Sequence, residues 1–180
     1  MRFKRVILAV MLSAFAAAAS QSRAQTSEDQ VKATFLYRFV SFVSWPEGVF
    51  ADAQAPIRIC VLGAAPFADV LTRTTTGQRV AGRAFEIRRI SELEAVTECH
   101  AVYAVGDRAD AVLKATHGAP ILTVTDGALG NSVTRGIVHF VTVDDRVRFH
   151  IDDARAAESR LLIDPRLLSL ALSVRRRTAS

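Results

Sequence analysis

Between residues 31 and 46, apolar and polar positions follow the period of one amphipathic α-helix. Its apolar face is formed by residues at steps of four, four and three: Val31, Phe35, Phe39 and Phe42. Glu28 and Asp29 suit the positive end of the helix dipole, and Ser27 is placed to cap the helix. Pro46 ends it, because the residue before a proline avoids helical geometry.

The apolar face of this helix has two interpretations. It covers the core of the domain, as such faces usually do. Alternatively its far end, residues 45–50, stays partly exposed as a docking patch for another molecule. The pattern alone leaves both open.

Beyond Pro46, short strand patterns alternate with helical ones. Strands are predicted at residues 57–62, 84–90, 100–105 and 120–125. Helices are predicted at residues 66–75, 91–95 and 107–116. Three of the strands are nearly continuous apolar runs, as expected of parallel strands covered on both faces. This order predicts a single α/β domain with a largely parallel central sheet flanked by helices.

The turns after these strands would lie together at one edge of the sheet. They cover residues 63–65, 106–108 and 125–127. Ligands of open α/β sheets gather at this edge. The alternative is that these segments are ordinary strand-to-helix connections.

Residues 137–151 predict a C-terminal β-hairpin with a two-residue turn at its centre. Equal offsets from the turn pair Phe140 with Phe149 on a mostly apolar face, and His139 with His150 on the other. Two imidazoles are too few for a metal site, and no cysteine or carboxylate is placed to join them. We therefore predict no metal site, and an exposed or pH-sensitive histidine pair.

The last segments predict two helices. A short one covers residues 154–160, capped by Asp152 or Asp153. Asp164 caps the last helix, with Pro165 in its first turn. We expect this helix to pack against the first one, so that the terminal helices lie together. Residues 175–177, all arginine, would then place favourable charge at its C-terminus, or contact an anionic membrane face.

Residues 1–24 have the pattern of a secretory signal peptide. Three basic residues precede an uncharged apolar run over residues 6–19, and the small residues Ser22 and Ala24 suit a signal peptidase. The run is short for a membrane span. We therefore expect an exported domain over residues 25–180, with an uncleaved anchor as the alternative.

Removing the signal peptide changes the charge of the chain. Four of the 23 basic residues and none of the 18 acidic residues lie in it, which leaves 19 basic against 18 acidic residues. The net charge of the exported domain is therefore about +1. This removes the main argument for a nucleic-acid partner.

Cys60 and Cys99 are the two cysteines of the chain. In an exported protein a single disulfide between them is a fair inference. Two buried free thiols are the alternative. The count and spacing exclude a C-x-x-C redox motif and a zinc site.

No recognised catalytic motif occurs in the sequence. It lacks a nucleophile elbow, a phosphate-binding P-loop, a dinucleotide-binding glycine motif and a zinc-protease motif. The spacing of serine, histidine and aspartate residues selects no triad. We therefore predict that the protein is not an enzyme and uses no cofactor.

Several segments in combination resemble the YfiR family (DUF4154). They are V-K-A-T-F-L-Y-R-F-V-S-F-V-S-W-P, I-R-I-C-V-L-G, C-H-A-V-Y-A-V, G-I-V-H-F-V and R-V-R-F-H-I-D. The likeness spans nearly the whole chain after the signal peptide. It implies a periplasmic α/β domain that can form homodimers.

The resemblance also implies a function. YfiR-like proteins inhibit an inner-membrane diguanylate cyclase (YfiN-like) by binding its periplasmic part, and so control cyclic-di-GMP signalling and biofilm formation. An outer-membrane lipoprotein (YfiB-like) relieves the inhibition, and small aromatic ligands bind the fold. The alternative is a periplasmic small-ligand sensor that acts on another membrane receptor, such as a histidine kinase.

At the level of residues, the resemblance implies the pairing of Cys60 with Cys99. It transfers no partner-binding residue. We predict a partner or ligand surface in a groove between the end of the first helix and the start of the last, lined by Trp45, Phe50 and Arg166.

Overall fold

Helices and short strands alternate along most of the chain. The computed structural model describes residues 28–106, 108–127 and 135–177. The helices there are α1 (residues 28–40), α2 (Ala65–Thr75), α3 (Arg108–Ala115), α4 (Asp153–Glu158) and α5 (Pro165–Leu168), with a 3₁₀ turn at Glu94–Glu98. The strands are β1 (Val43–Ser44), β2 (Ile57–Leu62), β3 (Arg79–Val80), β4 (Arg83–Arg89), β5 (Ala101–Val105), β6 (Leu122–Asp126), β7 (Val138–Val143), β8 (Arg146–Asp152), β9 (Leu162–Ile163) and β10 (Ser173–Arg175).

One mixed sheet organises the described part of the chain. Its strand order is β10-β8-β7-β6-β5-β2-β4-β3. The central strands are parallel, and the two antiparallel pairs are β7 with β8 and β3 with β4. This confirms the predicted α/β domain with a largely parallel sheet. The predicted bounds of the strands, and of the helices α2 and α3, differ from the observed bounds by at most two residues.

Alternate residues of the strands face two separate apolar clusters, because successive side chains of a strand point to opposite faces. On one face the strands pack against α1 and α2, and α1 contributes Ala33, Leu36, Phe39 and Val40. On the other face Cys60, Leu62, Val102 and Ala104 pack with α3 and the 3₁₀ turn. Leu167 of α5 belongs to the same cluster as α1, so the terminal helices share one core as predicted.

The register of the C-terminal hairpin is the predicted one. Phe140 lies opposite Phe149, and His139 lies opposite His150. Residues 144 and 145 both have positive φ, 49° and 56°. Two residues in the left-handed region give a turn that matches the right-handed twist of the flanking strands. The turn geometry and the polarity of the two faces therefore favour the same pairing of residues.

The predicted end of the first helix is wrong. Helix α1 ends at residue 40, and the next residues turn into strand β1. There Val43 pairs with Ile163 and Ser44 with Leu162 of β9. The apolar residues at 42 and 43 continue the helical spacing, but pairing with a distant strand replaces the last helical turns. Trp45 and Pro46 therefore lie outside the helix.

The last helix is also shorter than predicted. Helix α5 has a single turn, and the chain then forms β10, parallel to β8. Asp164 caps it as predicted, accepting a hydrogen bond from the backbone N–H of Arg166. The arginines at 175–177 do not lie at a helix C-terminus. Arg175 instead pairs with Asp152, and Arg177 pairs with Asp153.

The predicted disulfide between Cys60 and Cys99 is present, with the two Cα atoms 5.9 Å apart. It joins β2 to the residue that leads into β5, the strand beside it. The signal peptide at residues 1–24, the cap at Ser27 and the first residue of the predicted helix 107–116 lie outside the described residues. Among the described helices, none has the length and apolar character of a membrane span.

Candidate interaction surface

Trp45 and Phe50 lie in contact in the loop that follows β1. Their ring centroids are 5.8 Å apart, with the planes nearly perpendicular. The guanidinium of Arg83 lies 4.1 Å from the centroid of Phe50, and the ring of His100 stacks on Phe50 at 4.4 Å. We call these four residues the aromatic cluster. Trp45 and Phe50 are half-buried, so each offers part of its ring to the solvent.

Backbone contacts hold the two polar members of the aromatic cluster in place. Arg83, the first residue of β4, donates hydrogen bonds to the carbonyl oxygens of Asp52 and Ala55 at 2.7 and 2.8 Å. Nδ1 of His100 accepts a hydrogen bond from the backbone N–H of Arg58 at 2.9 Å. Burial, and then the charge of Arg58, lower the pKa of His100. His100 is therefore neutral near pH 7 and serves as a flat support for the phenylalanine ring.

A cavity of about 360 Å³ adjoins the aromatic cluster at the amino-terminal edge of the sheet. Its lining includes Val49, Arg58, Glu98, His100 and Arg160. Nearby, Nε1 of Trp45 is buried and has no hydrogen-bond partner among the described residues. A buried N–H without an acceptor costs roughly 1–3 kcal/mol, so the position of Trp45 carries a local cost to stability.

Arg166, the third predicted surface residue, lies apart from the aromatic cluster. Its side chain is 78% exposed and is held by Asp164, with 2.7 Å between Nη2 and Oδ2. The guanidinium lies 5.6 Å from the ring centroid of Phe42. Hydrogen bonds from Arg166 lower the pKa of Asp164 to about 2. The backbone N–H of Asp164 donates to the carbonyl of Phe42 at 2.8 Å, so the end of α1 and the start of α5 do meet.

Of the three predicted surface residues, Trp45 and Phe50 are therefore in direct contact. Among the described contacts, Arg166 touches neither of them. Sequence reasoning missed Arg83 and His100. They are 33 and 50 residues beyond Phe50 in the chain, and only the pairing of β2 with both β4 and β5 brings them to the same edge. No local pattern could have indicated this contact.

At the opposite, carboxyl-terminal edge of the sheet, Lys32 of α1 contacts the turn at residues 125–127, one of the three turns predicted to gather a ligand. Nζ of Lys32 lies 2.6 Å from Oδ2 of Asp126 and 2.5 Å from Oε1 of Glu28. The hydroxyl of Tyr103 donates to the same Asp126 oxygen at 2.6 Å. Burial alone lowers the pKa of Lys32, but the hydrogen bonds to Asp126 and Glu28 outweigh it, so the pKa is raised. These groups satisfy one another and fasten the helix to the sheet.

The model of the YfiR/HmsC-like family (DUF4154) matches residues 29–172. The chain belongs to this family. The match includes the whole aromatic cluster, both cysteines and Arg166. The YfiR/HmsC-like family is a regulatory one and not a known family of enzymes. No curated protein matches the chain.

In the histidine pair of this YfiR/HmsC-like chain, His139 is buried and His150 is half-buried, so the pair is not an exposed one. His139 is 1% exposed, and its ring centroid is 6.4 Å from that of His150. Nδ1 of His139 shares a hydrogen bond with the hydroxyl of Thr125 at 2.8 Å, whereas both Nε2 atoms are buried without a partner among the described residues. Burial, and then Arg135 and His150, lower the pKa of His139 to about 4. The described residues contain no group of three or more metal ligands.

Proposed function

We propose that this protein is exported to the periplasm and inhibits an inner-membrane diguanylate cyclase by binding the periplasmic part of that enzyme. The family match over residues 29–172 is the observation that carries the proposal. The signal-like N-terminal sequence and the disulfide agree with an oxidising compartment. Inhibition would lower the level of cyclic-di-GMP in the cell and so limit biofilm formation.

The proposed contact surface is the aromatic cluster together with Arg166. Tryptophan and arginine are the residue types that most often dominate the energy of a protein interface. Arg83 and His100 already hold the ring of Phe50, so little conformational entropy remains to be lost when a partner binds. The exposed guanidinium of Arg166 offers a charged contact beside the end of α1.

Deletion of the gene, followed by measurement of cellular cyclic-di-GMP, tests the proposal. We expect the level to rise in the deletion strain and to return when the wild-type protein is restored. A double variant, Trp45→Ala with Phe50→Ala, should restore inhibition poorly although it is exported and folded. Arg166→Ala should show a smaller defect of the same kind.

Arg148→Ala is the matched control. Arg148 is exposed on β8, outside the aromatic cluster, and should support full inhibition. An unchanged cyclic-di-GMP level in the deletion strain would count against the whole proposal. Full inhibition by the double variant would agree with the proposed function but contradict the proposed contact surface.

The cavity beside the aromatic cluster favours a second candidate function. A volume of about 360 Å³ and a lining that includes the imidazole of His100 and the guanidinium of Arg58 suit a small aromatic ligand. The protein would then be a ligand sensor acting on another membrane receptor, such as a histidine kinase. Capture of the receptor from inner membranes by the tagged protein, followed by mass spectrometry, distinguishes a cyclase from a kinase.

Two further contacts belong to the proposal. The protein would form homodimers, and an outer-membrane lipoprotein of the YfiB type would compete with the cyclase for it. Sedimentation equilibrium of the exported protein measures the first. Titration of the lipoprotein's soluble domain into the complex of protein and cyclase measures the second, and a complex that persists at saturation argues against competition.

A further inference from the structure

A second cavity lies between α3 and α4, away from the aromatic cluster. It has a volume of about 420 Å³ and is lined by Asp110, Leu113, Lys114, His117 and Arg155. Three of these five side chains are basic or can become so, and one is acidic. None of them lines the cavity beside the aromatic cluster.

Arg155 is the member of this lining whose hydrogen bonding is incomplete. Its nearest carboxylate, Asp152, is already occupied by other donors. Oδ1 accepts the backbone N–H of Arg155 at 2.8 Å, and Oδ2 accepts Nε of Arg175 at 2.8 Å. Nε of Arg155 lies 3.8 Å from Oδ2 of Asp152, which is too far for a hydrogen bond. That Nε is buried and has no partner among the described residues.

The ion pairs among the described residues include neither Lys114 nor His117. Lys114 lies in the last turn of α3, and His117 follows that helix. Asp110 is one helical turn before Lys114, but among the ion pairs of the described residues it pairs with neither Lys114 nor Arg155. Lys114 and Arg155 outnumber Asp110, so the lining has a net positive charge.

We propose that this cavity binds a small anion whose carboxylate or phosphoryl oxygens are held by Arg155, Lys114 and His117. The guanidinium fork matches the geometry of two oxygens on one planar or tetrahedral anion. An oxygen ligand would supply the acceptor that the buried Nε lacks. The volume is within the usual range for small-molecule sites.

The site goes beyond the proposed regulatory function and does not depend on it. It is tested on the exported protein by two-dimensional NMR titration with three probes at constant ionic strength: inorganic phosphate, acetate and citrate. Sodium chloride at equal ionic strength is the reference. We expect at least one probe to move the amide resonances of residues 113–117 and 154–156 saturably. A response to phosphate alone assigns a phosphoryl ligand, and a response to acetate or citrate assigns a carboxylate.

Arg155→Met should weaken binding of the responding probe at least tenfold, and Lys114→Met severalfold. Asp110→Asn should strengthen it severalfold, because a repelling charge is removed. The matched control is Arg148→Met, an exposed arginine outside the cavity, which should bind as the wild type does. Arg155→Met removes an unpaired donor and should fold; if it does not, Lys114→Met carries the comparison. The proposal is overturned if none of the three probes causes saturable shifts. It is also overturned if Arg155→Met and Lys114→Met bind the responding probe as tightly as the wild type does.

Discussion

Buried polar side chains set the most specific requirements at the scale of single residues. Lys32, His139 and Asp153 are each at most 5% exposed. Lys32 and Asp153 have charged partners in Asp126 and Arg177. His139 is satisfied at Nδ1 only, and it must remain neutral in the fold. The stability of the protein should therefore depend on pH through this residue.

We expect the free energy of unfolding to fall as the pH is lowered from about 6.5 to about 4. The pKa of His139 is lowered from 6.5 to about 4 in the fold. In this interval the unfolded chain binds a proton that the folded chain does not, so acid favours unfolding. The contribution lost would be about 3 kcal/mol. Urea unfolding of wild type and His139→Gln at several pH values measures it.

The variant should show a flatter dependence on pH than the wild type in this interval. Equal slopes in wild type and His139→Gln would mean that other groups cause the acid sensitivity.

Among the glycines that the structure describes, Gly136 is the one with the least space for a side chain. A Cβ atom there would lie 2.6 Å from the backbone oxygen of Thr123, and backbone cannot move aside as a flexible side chain can. Gly136→Ala should lower the free energy of unfolding by about 2 kcal/mol or more. At Gly127 a Cβ would meet nothing within 4 Å, so Gly127→Ala should change stability by less than about 1 kcal/mol. Thermal and urea unfolding of both variants give the comparison; similar losses would contradict it.

At the scale of elements, the hairpin and the first helix behave differently. The hairpin was predictable residue by residue, because a slip of one position would turn Phe140 and Phe149 to the other face. The first helix was predictable only to residue 40. Its last apolar residues obey the helical period, yet Val43 is taken into β1 by pairing with Ile163.

The turn of the hairpin gives a prediction at this scale. Asp145 has φ of 56°, in a region that glycine adopts at lower cost. Asp145→Gly should raise the free energy of unfolding by about 0.5 kcal/mol. Asp145→Pro, which sets φ near −65°, should lower it by more than about 1 kcal/mol. Urea unfolding measures both; a loss of stability in the glycine variant would show that this turn is not strained.

The attachment of α1 to the sheet gives a second prediction at the scale of elements. Lys32→Met removes the cation that Asp126 and Glu28 share, and leaves a poorly solvated carboxylate. We expect a loss of about 2–4 kcal/mol, since breaking one side of a buried pair is costly. Adding Asp126→Asn should recover part of it, and a double-mutant cycle measures the coupling. Additive losses would mean that the pair does not hold the helix.

At the scale of the whole molecule, the disulfide closes a loop of 39 residues between adjacent strands. A cross-link of this length stabilises by roughly 4 kcal/mol at most in the chain-entropy model. Reduction, or the double variant Cys60→Ala with Cys99→Ala, should lower the free energy of unfolding by about 2–4 kcal/mol. Unfolding with and without reductant measures the loss. Thiol titration of the denatured, unreduced protein should find no free thiol, and two would contradict the pairing.

The sequence by itself determined the fold class, most strand positions, the hairpin register and the resemblance to the YfiR family. Each depends on the period of apolar residues, on turn and cap chemistry, or on residues close in the chain. These are local properties, so they can be predicted from residues that are close together in the sequence.

Only the tertiary structure decided where α1 ends, where α5 gives way to β10, and which residues surround Phe50 and Arg155. Arg83 and His100 reach Phe50 because two different strands lie beside β2. Nε of Arg155 makes no hydrogen bond with Asp152, because Arg175 of the neighbouring parallel strand donates to the Oδ2 atom that faces it. Such contacts join residues far apart in sequence, and their competition for one partner is settled only when the chain is folded.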